Sequence, residues 1–211
     1  MTEALERWLV FFSPASFPAP LPELPSSNSR ILAVDGGLQV VRTLGREPDF
    51  FMGDLDSLSQ EPPTKNTCIL PIHKDYLDGE AAIEFLKTRS IEKLDFYFFF
   101  QGRWDMTFTH FLKLYQMLEF VNLLCIHTLH SQLLFRNSDL VLQGQPSQRF
   151  SIIPLETMQN VSLHGAEFGL TLETIEMGSG QTLSNRFNEG VVELTLSQKA
   201  LHLIEIFSVE D

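Results

Sequence analysis

The chain has 211 residues, 44% hydrophobic and 20% charged, an ordinary composition for a globular protein with one large domain or two small ones. Its net charge of −12 makes it a poor general binder of DNA or RNA, where basic patches supply most of the affinity. No stretch approaches the roughly 20 apolar residues of a membrane span, and the opening MTEALERWLVFF is too acidic, with too short an apolar run, for a signal peptide; the expected location is the cytoplasm.

Trp8 to Phe12 reads as a buried strand, followed by a loop over 14–29 that holds five prolines. Proline continues neither a helix nor a central ladder. Ile31 to Val34 is a second strand, ending at Asp35-Gly36-Gly37, and Leu38 to Leu44 is a short helix. Phe50 to Met52 leads into Gly53-Asp54-Leu55-Asp56-Ser57, and Thr67 to Ile72 is a further strand. Asp78 to Arg89 is predicted helical, with Ala82, Ile83, Phe85 and Leu86 inward. Leu94 to Phe100 is a continuous aromatic strand, apolar enough to be covered on both faces. Thr107 to Phe120 is predicted to be a helix burying Phe111, Leu112, Leu114, Tyr115 and Leu118, and Val121 to Thr128 is a strand. Cys68 and Cys125 lie in apolar runs without a CxxC or Cys/His cluster, so both read as buried and reduced.

This alternation predicts an α/β domain with a largely parallel sheet over residues 1–130. Beyond it, short β-like runs are separated by Gly144, Gly165, Gly178, Gly180 and Gly190. Their spacing predicts an all-β sandwich or barrel over 131–211.

The polar residues of the first domain fall after strands, where ligands of open parallel sheets bind. Asp54 and Asp56 are one residue apart and able to share a hard cation; an acidic turn capped by Asp and Ser is the alternative. Lys74-Asp75-Tyr76-Leu77-Asp78-Gly79-Glu80 precedes a helix. Asp78 reads as an N-cap or as part of a charged site in which Lys74 meets phosphate as a point charge. Gln101-Gly102-Arg103-Trp104-Asp105-Met106-Thr107 combines a glycine, which lets a ligand approach, with a guanidinium fork suited to phosphate; a helix start capped by Asp105 or Thr107 is the plain reading. Neither GxGxxG nor GxxxxGK[ST] is present. His73 and His110 lie nearby and read as structural or surface residues, and Ser57 and Ser184 lack the partners of a hydrolase triad.

In order, AVDGG at 33–37, GDLDS at 53–57, KDYLDGE at 74–80, QGRWDMT at 101–107 and LSN at 183–185 resemble the thiamine pyrophosphokinase family. The resemblance covers nearly everything from about residue 30. It implies an enzyme that moves the pyrophosphoryl group of ATP to the hydroxyl of thiamine with Mg²⁺, releasing AMP. It implies Mg²⁺ carboxylates at Asp54, Asp56 and Asp78; an acidic partner at Asp35; and ATP contacts from Lys74, Gly102, Arg103 and Asp105. Asp75 or Asp78 would orient the acceptor hydroxyl or take its proton. Ser184 and Asn185 would help form the thiamine pocket, and the protein would be a homodimer with its site completed across the interface. Leu55, Leu77, Gln101, Met106 and Arg186 depart from the family's usual residues, which leaves two alternatives: a pyrophosphokinase for a pterin-like alcohol, or a degenerate binding protein. Arg186, beside a cationic ligand, is expected to point away or pair with an acid such as Glu189.

Overall fold

The computed structural model describes residues 6–13, 24, 29–55, 61–63, 65–99, 104–121 and 123–209. They form two compact units, Met1–Leu129 and His130–Asp211.

The first unit holds strands β1 (Glu6–Phe11), β2 (Ser29–Val34), β3 (Phe50–Gly53), β4 (Thr67–Ile69), β5 (Ile91–Tyr97) and β6 (Leu123–His127). Its helices are α1 (Gly37–Thr43), α2 (Asp78–Lys87) and α3 (Trp104–Met117). The strands are ordered β6-β5-β1-β2-β3-β4, and every neighbouring pair is parallel. Such a sheet is covered on both faces, which is why β1, β2 and β5 each end in four consecutive buried residues. The chain runs from β1 out to β4, then returns to β5 on the other side of β1. This reversal opens a crevice at the carboxyl ends of the central strands.

One polar network is built into the sheet. The fully buried Asp95 carboxylate accepts hydrogen bonds from Arg7 Nε at 2.7 Å and pairs with His127 Nε2 at 2.8 Å, with Lys93 Nζ 3.6 Å away. Burial alone would raise the Asp95 pKa, but His127, Arg7 and Lys93 together hold it below the usual carboxylate range. Cys125 lies close to Asp95 and His127, yet burial pushes its thiol up to about 12. A neutral thiol beside a carboxylate already balanced by two cations is a poor metal site, and this cluster is structural.

Several sequence expectations shift. The aromatic strand ends at Tyr97, because Phe98 turns to φ +60° and leaves the ladder. Cys68 is exposed, since β4 is the edge of the sheet, while Cys125 is buried as expected. Helix α3 buries His110, Leu114 and Met117, leaving Leu112 56% and Tyr115 51% exposed. The helix is apolar on two opposite sides, and periodicity alone does not say which side faces the core.

The second unit is all β: β7 (Ser131–Arg136), β8 (Leu140–Gln143), β9 (Arg149–Pro154), β10 (Met158–His164), β11 (Leu170–Ile175), β12 (Asn185–Arg186), β13 (Val191–Thr195) and β14 (His202–Phe207). They make two antiparallel sheets, β12-β9-β14-β7 and β11-β10-β13-β8. Phe150, Ile152 and Ile204 of one sheet share a core with Val161, Leu163 and Val192 of the other, as in a sandwich. Among the described residues no helix is long and apolar enough to cross a membrane.

Candidate active site

Three strands of the first unit end in backbone that only a few residue types adopt readily. Asp35 after β2 has φ +48°, Leu55 after β3 has φ +68°, and Phe98 after β5 has φ +60°. Left-handed geometry is tolerable for aspartate but costly for leucine and phenylalanine. Strain of this kind persists where the surroundings over-determine it, and it gathers at functional sites. Gly53 closes the same corner: a Cβ there would sit 2.1 Å from Asp35 Oδ1, so only glycine lets β3 pass so close to that carboxyl group.

These turns bring carboxylates together. Lys74 Nζ lies 2.9 Å from Asp54 Oδ2 and 3.0 Å from Asp78 Oδ1, with the lysine side chain only 8% exposed. Asp35 faces both aspartates. Burial first, then the charges of Asp78 and Asp54, push its carboxyl group up to about 7. The lysine loses some basicity to burial but gains more from Asp54 and Asp78, and is pushed up to about 12. Asp35 Oδ1 is buried without a hydrogen-bond partner. Two carboxylates on one ammonium, with a third crowded against them, therefore leave an excess of negative charge and an unsatisfied hard oxygen donor, a set that suits a small divalent cation. Asp78 is the first residue of α2, but the capping position is Leu77 and no side chain caps the helix. The plain N-cap reading thus does not hold, and the Asp78 carboxylate is turned to Lys74 instead.

Two cavities adjoin the cluster. One, of about 130 Å³, is walled by Phe12, Phe98, Phe99 and His110 and reaches Asp35 and Asp78. His110 is buried in it, packed on Phe99 at 5.1 Å with its Nε2 unpartnered, and burial lowers its pKa. The other, of about 340 Å³, is lined by Lys74, Asp75, Tyr76, Glu80, Asp105 and Thr109. Leu77 and Met106 line both, so two of the positions that depart from the family pattern form an apolar partition between the cavities. Of the residues singled out in sequence, Asp35, Asp54, Lys74, Asp75, Asp78 and Asp105 thus meet in one region. Asp56, Gly102 and Arg103 lie outside the described residues. Sequence reasoning missed Phe98 and Phe99 as site walls and placed His110 only as structural; the end of the aromatic strand was the available signal.

Ser184 and Asn185 belong to the second unit. Ser184 is exposed at φ +54°, and its backbone N–H donates to Ser151 Oγ at 3.0 Å. Asn185 is 1% exposed, and its amide is engaged with backbone. Its Oδ1 accepts from the N–H groups of Phe168 at 3.0 Å and Arg186 at 2.9 Å, and its Nδ2 donates to the Phe168 carbonyl at 2.8 Å. This clasp fixes the loop that presents Phe168, which is 60% exposed. Arg186 pairs with Glu167 Oε2 at 3.8 Å and donates to the Ser147 carbonyl at 2.9 Å, so its acidic partner is Glu167 rather than Glu189.

Residues 21–126 match the thiamin pyrophosphokinase catalytic domain, and residues 140–201 match the thiamin pyrophosphokinase vitamin B1 binding domain. The chain belongs to the thiamin pyrophosphokinase family. No curated protein matches it in sequence. Among solved structures it is similar to thiamine pyrophosphokinase from Bacillus subtilis, at a TM-score of 0.84 and 16% identity over 97% of this chain and 100% of that one. It is likewise similar to the Geobacillus thermodenitrificans thiamin pyrophosphokinase, with TM-score 0.78, 19% identity and 97% and 99% coverage. The thiamin pyrophosphokinase of Candida albicans is similar at TM-score 0.76 and 15% identity, covering 97% of this chain and 90% of that one. At such identities these likenesses speak for the shared fold.

Proposed function

We propose that this chain is a thiamine diphosphokinase, transferring the pyrophosphoryl group of ATP to the hydroxyl of thiamine to give thiamine diphosphate and AMP. The observation that carries it is the pairing of Asp54 and Asp78 with Lys74, with Asp35 crowded against both aspartates at the carboxyl ends of the sheet, in a chain whose two halves match the two domains of the family. The vitamin B1 binding match favours thiamine over a pterin-like alcohol as acceptor, and retention of the carboxylates argues against a degenerate binding protein.

Phosphoryl-type transfer asks a protein mainly for positioning and for countercharge. Asp54 and Asp78, with Asp35 beside them and Asp56 assigned by its motif, would hold Mg²⁺. The ion would supply positive charge to the phosphate oxygens and to charge developing on them. Lys74 contributes a further fixed positive charge at the same place. The 340 Å³ cavity with Asp75 and Asp105 on its wall receives ATP, joined by Gly102 and Arg103 on the strength of their motif. Asp78 is engaged with Lys74, which leaves the exposed Asp75 to orient the thiamine hydroxyl or accept its proton. In the second unit Asn185 acts by holding Phe168, whose exposed ring offers a stacking and cation–π surface to the cationic rings of thiamine, with Ser184 alongside. We further propose a homodimer in the cytoplasm, where its co-substrate ATP is abundant.

The test is direct. Protein, ATP, Mg²⁺ and thiamine should yield thiamine diphosphate and AMP in equal amounts. Asp54→Asn should lower turnover by about 10²-fold or more while leaving the circular dichroism spectrum intact. Normal Mg²⁺-dependent turnover in that variant would remove Asp54 from the site; no thiamine diphosphate from the wild type would remove the activity.

A further inference from the structure

The smaller cavity, of about 130 Å³, reaches Asp35 and Asp78 and is walled largely by Phe12, Phe98 and Phe99, with Leu77 and Met106. An apolar cavity of about 150 Å³ takes up one benzene-sized ring, so this one holds a single six-membered ring and little more. No lysine or arginine stands among its described lining residues. A phosphate there would face two carboxyl groups and aromatic walls, with no cation to offset the loss of water. Such walls suit a flat, uncharged ring instead, which they meet by stacking or edge-to-face contact.

One polar group in the wall has nothing to bind. His110 is 8% exposed and lies against Phe99, with ring centroids 5.1 Å apart, and against Phe12 at 6.1 Å. Its Nε2 is buried with no hydrogen-bond partner. Gly79, also on the cavity wall, makes room for it: a Cβ on that residue would stand 2.4 Å from Nε2, so any side chain there would press on the nitrogen. Burial lowers the His110 pKa, which keeps the ring neutral near neutral pH and leaves it an acceptor nitrogen. Buried polar atoms are rarely left unpaired, and one left so in a cavity wall points to what the cavity takes up.

With Asp35 and Asp78 on the same wall, the cavity is lined mainly by hydrogen-bond acceptors and calls for a ring that donates. A flat ring with an exocyclic amino group does so. Its oxo counterpart would bring a carbonyl oxygen against the same acceptors. We propose that this cavity is a subsite for an aminopyrimidine ring, with His110 Nε2 accepting a hydrogen bond from the exocyclic amino group. Two reactants of the proposed reaction carry such a ring: ATP in its adenine and thiamine in its pyrimidine. The identity of these ligands comes from the thiamine diphosphokinase reading; the preference for an amino ring comes from the cavity alone.

Calorimetric titration of each amino ligand against its oxo counterpart tests this: ATP against inosine triphosphate, both with MgCl₂, and thiamine against oxythiamine. The wild type should prefer the amino form by about tenfold or more in the pair whose ring enters the cavity, since the oxo form sets acceptor against acceptor. His110→Phe keeps a ring and removes the nitrogen. It should bring that ratio to within about twofold by weakening the amino ligand, with an unchanged far-ultraviolet dichroism spectrum. His110→Gln returns an acceptor at similar reach and should restore most of the preference, which a merely structural histidine would not. His110→Leu serves if the phenylalanine variant does not fold. Collapse of the ATP ratio assigns the cavity to adenine; collapse of the thiamine ratio assigns it to the pyrimidine. Equal affinity for amino and oxo forms in both wild-type pairs would overturn the proposal. So would ratios that survive His110→Phe, or a collapse in both pairs at once, which a one-ring cavity does not allow. If neither ATP nor thiamine binds the wild type, the catalytic reading fails as well; if both bind without an amino preference, only the subsite falls.

Discussion

Replacing Lys74 with methionine removes the ammonium that joins Asp54 and Asp78 while keeping most of the side chain's volume. The two contacts, at 2.9 and 3.0 Å, are each worth about 5.5 kcal/mol of attraction at an effective dielectric of about 20, before desolvation is counted. Removing one partner of a buried pair costs about 3–5 kcal/mol, because the other charge is left uncompensated. Asp54 and Asp78 retain some water, their side chains being 11% and 20% exposed, so the lower end of that range applies. For a chain of about 200 residues, 3 kcal/mol corresponds to a fall of about 6–12 °C in unfolding midpoint. The carboxylates of the variant should then bind a divalent cation more readily, since it no longer competes with an ammonium. Urea or thermal unfolding in EDTA should show the deficit. Adding about 10 mM MgCl₂, against NaCl of equal ionic strength to allow for screening, should narrow the gap between variant and wild type by about 1.4 kcal/mol, the equivalent of a roughly tenfold tighter site. A variant as stable as the wild type in EDTA would refute the claimed role of the ammonium. A gap that Mg²⁺ leaves unchanged would refute the carboxylates as a cation site.

Two more predictions follow from the same geometry. Between its ordinary value of about 4 and about 7, Asp35 holds a proton in the folded protein that the unfolded chain releases. The metal-free protein should therefore lose stability through this group as pH rises across that window. Asp35→Asn should flatten the fall in urea midpoint between pH 5 and pH 8, and equal slopes in the two proteins would exclude Asp35 as its source. Phe168→Ala and Asn185→Ala should each raise the KM for thiamine by about tenfold with little change in that for ATP, and the double variant should be no worse than either single one; an added loss in the double variant would put thiamine directly on Asn185.

What was legible in the sequence follows from which signals are local. The parallel sheet announces itself because strands covered on both faces need unbroken apolar runs, as in Trp8–Phe11 and Ile31–Val34. The second unit announces itself through short alternating strands punctuated by glycine, and most of the carboxylate cluster follows from aspartates placed after strands. The inner face of α3 was not legible, because Leu112 and Tyr115 continue the apolar pattern that Leu114 begins, and only the packed structure distinguishes the core side from the exposed one. Exposure of Cys68 was hidden for a related reason: an apolar run does not reveal that its strand is the last in the sheet. The partner of Arg186 was equally out of reach, since Glu167 is brought to it only when the 165–168 loop is clasped by Asn185.

The turn that follows Asp54 shows how composition and conformation divide the work at such a site. Propensity alone counts against Leu55: a bulky residue at φ +68° stores strain that a glycine would not. Yet the backbone reversal there follows Asp54, the residue that meets Lys74, just as Asp35 turns left-handed between β2 and the glycine pair that opens α1. Each strand thus ends one residue before its carboxylate, and the carboxylate is held by the turn rather than by the ladder. A carboxylate on the ladder would be fixed by the pleat of the sheet and point to one face. At a turn it points off the end of the sheet, where Asp35 and Asp54 meet Asp78 from the start of α2 at a density that ordinary carboxylates resist. The raised pKa of Asp35 is the electrostatic consequence of that crowding. The strain at Leu55 and the raised proton affinity of Asp35 are therefore two expressions of one arrangement, and a divalent cation bound there would relieve the second while the rigid turn preserves the first.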